Sequence, residues 1–356
     1  MSNLLYFFIC VLFGFIGMYA GYKPQVDKYA QTLKFSYSML PLPYIYLFYV
    51  VCAVFAFFWL NNNDFIEDFT FVRMIVPLIL APVVYGACML LNTKSAFVVT
   101  VACVAITVWL QPIGEGNAYP ALPTWLLQLI ILVLASVYCW GGMLRNFIPH
   151  TLLIPQITLL LGLSGMAFLG AAPMYTAICA GVLVGALGGY LSINFYDVKI
   201  EIDNAVAIAL SYMVCSLILM NIGEMGLPSC IILTSVFWAE LLTALWRYFF
   251  VSRSGLLYEN TNYYLAAQKV TVKVLVLSIF KVSAIMMFLA WFQLYSVNGY
   301  SLIIVSICVA LWLNSSMGSA NGGKQTLREI NRDVMENIKQ GIQETKDALS
   351  QKRKDD

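Results

Sequence analysis

The sequence predicts an all-α, polytopic membrane protein with about eleven transmembrane helices, its N-terminus outside and its C-terminus inside. Three observations carry this. Hydrophobic residues make up 61% of the 356 positions and charged residues 11%, against roughly 45–50% and 25% in soluble globular domains. Mean hydropathy is +0.81. The apolar residues also gather into runs of about twenty, the length a helix needs to cross roughly 30 Å of hydrocarbon with its backbone satisfied internally. Such a composition excludes a soluble enzyme, a disordered chain and a nucleic-acid binder. The formal charge of +2 indicates no polyanionic partner.

Taken in order, the runs fall at about 3–22, 42–61, 71–91, 95–112, 123–144, 151–170, 173–193, 204–222, 227–250, 270–294 and 299–317. The first lacks a basic flank and a small-residue cleavage site, so it reads as a retained span. The nine cysteines sit singly in apolar runs, with no CxxC spacing, and read as buried thiols.

Orientation follows from Lys and Arg. The odd loops hold Lys23, Lys28, Lys34, Lys94, Arg145, Lys199, Arg247, Arg253, Lys269 and Lys273, and the tail holds eight more basic residues. The even loops show only Arg73, beside Asp64, Glu67 and Asp68, with Glu115 and Glu224 on the same side. By the positive-inside rule the odd loops and the tail are cytoplasmic. After the last span, Asn314 to Lys324 forms a Gly/Ser-rich joint, so the chain divides into a membrane domain, 1–317, and a tail, 318–356. In that tail Leu327, Ile330, Val334, Ile338 and Ile342 recur at steps of three and four. This predicts an amphipathic helix, either laid on a partner protein or the cytoplasmic loops, or frayed and solvated.

Charges in hydrocarbon cost about 3 kcal/mol each and are usually meaningful. Glu240 and Lys281 both lie inside runs, at matching depth on consecutive antiparallel spans. They are expected to form an intramembrane ion pair. A transporter would use the same two groups as an ion relay. The seventh loop gathers Asp197, Lys199, Glu201 and Asp203, a set able to hold a divalent cation or simply to be solvated. His150, the one histidine, stands at a helix entrance, where a hydrogen-bonding role is commoner than catalysis.

The order of these segments resembles the polyprenyl-phosphate N-acetylhexosamine-1-phosphate transferases. The resemblance runs over about 20–290 and rests on five fragments: Tyr22-Lys-Pro-Gln25 with Lys28, Gly86 to Lys94, Leu122 to Ile148, Ala186 to Ile200, and Glu240 with Arg247. It implies a cytoplasmic site built from the odd loops, in which a sugar phosphate passes from a UDP-sugar to a lipid phosphate with Mg²⁺. Lys23, Lys28, Lys94, Arg145, Asn146, Lys199, Arg247 and Arg253 are then the residues to meet phosphate. The departures are systematic. The family's paired aspartates fall on Met89 and Leu90, its Asp-Gly-x-Asp-Gly on Pro149 to Leu153, its metal-motif Asp on Asn204, and its histidine motif within Asn260 to Leu265. The residues left for chemistry are Asp197, Asp203, Asn204 and His150. The resemblance therefore implies a scaffold without turnover, one that holds a membrane lipid such as a polyprenyl phosphate, or a partner protein, in envelope glycan assembly in the bacterial inner membrane. An active transferase using substitute residues, with its Mg²⁺, is the alternative. A shorter stretch, Ile148-Pro149 to Pro155 and then Tyr196-Asp-Val-Lys199, resembles a prepilin-type aspartyl peptidase, with Gly142 where the first aspartate belongs and Asp197 at the second.

Overall fold

In the computed structural model the described residues are 2–33, 70–111, 123–146, 148–194, 202–250, 257–267, 270–295 and 299–316. They form twelve α-helices and two short 3-10 helices, with no strand among them. In chain order the helices are α1 (Ser2–Leu33), α2 (Thr70–Leu90), α3 (Thr93–Leu110), α4 (Thr124–Trp140), α5 (Pro149–Phe168), α6 (Met174–Asn194), α7 (Asn204–Met220), α8 (Ile222–Leu233), α9 (Ser235–Phe250), α10 (Asn262–Ala267), α11 (Val272–Gln293) and α12 (Gly299–Ser316). The 3-10 helices, Gly141–Arg145 and Leu257–Asn260, follow α4 and precede α10. The expected span at 42–61, the loop carboxylates Asp64, Glu67, Asp68 and Glu115, and the tail helix lie outside the described residues, as do Lys34, Lys199, Arg253 and Lys269.

Among the described residues, six helices are long and apolar enough to cross a membrane, or seven if the bent pair α8–α9 counts as one span. Helices α2, α7 and α12 hold shorter apolar stretches. The chain is, by length and composition, all-helical with several membrane-compatible helices. Its surface agrees: Leu4, Phe8 and Leu12 project from successive turns of α1, all more than half exposed. An apolar stripe of that kind is stable against lipid rather than water.

Helix α7 is the centre, buried from Ala205 through Leu219. Helices α2, α3, α4 and α5 pack on it. Helices α1 and α6 pack on each other in parallel through glycines: Gly14 faces Val182 and Ala186, while Gly181, Gly185 and Gly189 face Phe7, Val11 and Phe15. Without a side chain at these positions the two backbones approach closely, the usual way helices associate in hydrocarbon. Hydrogen bonds also tie the bundle: Thr107 to the Tyr212 hydroxyl at 2.7 Å, Gln156 Nε2 to Ser211 Oγ at 3.1 Å, and Thr176 to Asn221 Oδ1 at 2.7 Å.

The expected ninth span, 227–250, is not one straight helix. The helical segment begins earlier, at Ile222, turns at Gly226 (φ +76°) ahead of Pro228, and breaks at Thr234 with a bend of 44° between α8 and α9. The Thr234 hydroxyl donates back to the Cys230 carbonyl at 2.9 Å, a bond that often accompanies a bend.

Candidate functional site

One end of the bundle gathers several segments singled out by the sequence. Helix α4 runs into the 3-10 turn Gly141–Arg145, which packs against α7 and against the 3-10 turn Leu257–Asn260. Two glycines make this fit possible. A Cβ on Gly142 would lie 2.5 Å from Ser211 Oγ and 2.7 Å from the Ala207 carbonyl oxygen, and one on Gly141 would enter the Phe237 ring. Extended Ile148 then caps α5, Pro149 opens it, and Thr151 Oγ1 donates to the Ile148 carbonyl at 2.7 Å.

Beyond the turn, Asn146 Nδ2 donates to the Ile202 carbonyl at 2.5 Å and to Asn204 Oδ1 at 3.2 Å. Asp203 caps α7 by accepting the Val206 N–H at 2.7 Å. Helix α2 packs against α7. Asn146, just after the 3-10 turn, and Asn204, the first residue of α7, are thus in direct contact, and both are neutral amides.

Next to them lies a second polar group. Arg247, in the last turn of α9, donates to the Asn260 carbonyl at 3.0 Å and to Asn262 Oδ1 at 2.6 Å. Asn262 Nδ2 approaches Thr243 Oγ1 at 3.4 Å. Glu240, 1% exposed, accepts the Tyr263 N–H on Oε2 at 3.3 Å, while its Oε1 makes no hydrogen bond within the protein. Arg247 and Glu240 therefore clamp the short helix α10 onto α9. Nearby, burial and the charges of Glu259 and Tyr264 raise the Tyr258 phenol above its ordinary pKa.

This overturns the expected ion pair. Lys281 is exposed on α11, and its ammonium makes no ion pair with Glu240. The sequence placed the two at matching depth but not on facing sides. Glu240 turns instead toward the backbone of α10, where a peptide N–H replaces the ammonium as its partner.

The other expected site residues are dispersed. Lys23 is exposed near the end of the apolar part of α1, its Nζ 2.6 Å from the Tyr19 hydroxyl and 4.9 Å from the centre of that ring. Lys94 is exposed in the first turn of α3. Lys28 lies on α1, and Arg145 ends the 3-10 turn. His150 is buried at the second position of α5. Met89 and Leu90, where the resemblance calls for metal-site aspartates, are exposed at the end of α2. Asp197 and Glu201 lie outside the described residues.

The described residues at this end do not suit Mg²⁺, which favours carboxylates and phosphate oxygens. Asp203 is committed to its cap, Asn146 and Asn204 are uncharged, and among the described residues no group of three His, Cys, Asp or Glu is placed to hold a metal. Sequence reasoning followed charge and so missed Asn260, Thr243 and the buried pairs along α7. Their signal was present as Thr107, Gln156, Ser211 and Asn221 inside apolar runs. Comparison with protein families finds no matching family, and no curated protein is significantly similar.

Proposed function

We propose that this is an eleven-span bacterial inner-membrane protein, N-terminus out, that keeps the scaffold of the polyprenyl-phosphate sugar-phosphate transferases but only holds its ligand. The observation that carries this reading is the contact of Asn146 with Asn204 beside the packed turns 141–145 and 257–260. Of the segments that the resemblance assigns to one cytoplasmic site, the 141–146 turn, the start of α7 and the 257–260 turn adjoin there, and amides occupy the meeting point. A neutral amide neither takes up a proton nor binds Mg²⁺ as a carboxylate does.

The remaining features fit the same picture. Exposed Trp109 and Trp125 lie toward one end of the bundle, and exposed Trp246 and Trp312 toward the other, as interfacial aromatic belts require. Ile131, Leu134, Leu219, Leu227 and Ile231 line an apolar groove between α4, α7 and α8, suited to an isoprenoid tail. Eighteen of the twenty basic residues fall on the proposed cytoplasmic side, where a lipid phosphate would be met. The tail helix would then be free to engage a partner protein.

The competing readings have less support. An aspartyl peptidase needs a carboxylate at 142, where even a Cβ collides with α7. A relay through Glu240 and Lys281 lacks its second member, since Lys281 faces outward. A transfer assay in membranes decides between a silent and an active transferase. With a labelled UDP-sugar, undecaprenyl phosphate and Mg²⁺, the silent reading expects no label in lipid above empty membranes. Transfer that disappears in Asp203→Ala would overturn it.

A further inference from the structure

The bend between α8 and α9 encloses a small cavity that the proposed function does not use. Its walls include Thr158, Thr234 and Ser283 together with Tyr138, Pro155 and Phe237, so it lies where α4, α5 and α11 meet the break. About 10 Å³ is open to the centre of a water molecule, on the order of the 10–15 Å³ that one water needs.

The hydroxyls on its wall are not alike. Thr158 Oγ1 donates to the Ile154 carbonyl at 3.0 Å, and Thr234 Oγ1 donates to the Cys230 carbonyl at 2.9 Å. On α11, Ser278 donates to the Val274 carbonyl at 2.9 Å, the ordinary recourse of a serine in an apolar helix. Ser283 lies on the same helix, 5% exposed, yet its Oγ has no hydrogen-bond partner in the protein. A buried hydroxyl left in that state costs about 1–3 kcal/mol. The cost is avoided if the cavity is wet, because Thr158 Oγ1 still offers its lone pairs to a donor and Thr234 Oγ1, which accepts the Trp238 indole N–H at 2.9 Å, keeps one.

We propose that this cavity is a buried hydration site, holding a single water against Ser283 Oγ at the bend of the broken span. An inserted water is a known cause of helix bends, and ordered waters serve broken helices in membranes. The site thus belongs to the device that aims α9, and with it Glu240 and Arg247, at α10.

The test is X-ray footprinting of the full chain in nanodiscs in ¹⁸O-labelled water, where radiolysis turns a bound water into a hydroxyl radical that hydroxylates the rings beside it. Tyr138 and Phe237 are expected to take up ¹⁸O faster than Tyr190, which is equally buried on α6. In Ser283→Val, which fills the cavity, and in Ser283→Ala, which removes the hydroxyl, their labelling should fall to the Tyr190 level. If either variant fails to fold, the other and the native chain still decide. Native labelling no greater than at Tyr190, or labelling indifferent to a folded Ser283 variant, overturns the proposal.

Discussion

Glu240 and Lys281 show what a buried charge demands. The carboxylate is enclosed and needs a donor, which α10 supplies through the Tyr263 N–H. The ammonium stays exposed on α11, where a long side chain can reach toward the interface. Glu240→Leu strands that N–H and should lower the melting temperature in detergent, at about 1–3 kcal/mol of lost stability. Glu240→Gln keeps an acceptor and should recover most of it. Lys281→Met should cause no loss, and the double variant Glu240→Leu, Lys281→Met should melt with Glu240→Leu alone. Coupling between the two sites in a double-mutant cycle would contradict this geometry. Asn146 makes a similar case in a more open setting: Asn146→Leu leaves the Ile202 carbonyl without its donor and should destabilise by about 1 kcal/mol, while Asn204→Asp, still an acceptor, should melt close to the native chain.

The glycines of α6 set how closely two helices approach. Gly185 packs on the Val11 backbone of α1, whereas a Cβ on Gly86 would meet nothing within 4 Å. Gly185→Val should therefore abolish a monodisperse peak in size-exclusion chromatography. Gly86→Ala should raise the melting temperature, since alanine is favoured over glycine inside a helix by about 0.5–1 kcal/mol. Equal behaviour of the two variants would count against the parallel α1–α6 packing. Most described helices could be read from run length, because a twenty-residue apolar run leaves the backbone few alternatives to a helix. The break at Thr234 could not. Gly226 and Pro228 warn of irregularity, but the bend depends on what α9 packs against, which periodicity does not carry.

For the whole molecule, the legible part was class and charge bias; the site was legible only in outline. Loops five and nine and the start of α7 were named from the sequence, and the structure brings Asn146, Asn204 and the 257–260 turn to one end. It does not bring Lys23, Lys94 or Lys281 into that group. Long flexible basic side chains are set by tertiary placement, and a one-dimensional count of positive loops does not carry what each one faces.

The central claim is that this end of the protein holds a lipid phosphate without transforming it. Native mass spectrometry of the purified chain with undecaprenyl phosphate, against undecaprenol as the uncharged control, tests it most directly. The account predicts a retained one-to-one adduct of unaltered mass with the phosphate and none with the alcohol. Equal retention of both lipids, or of neither, contradicts it.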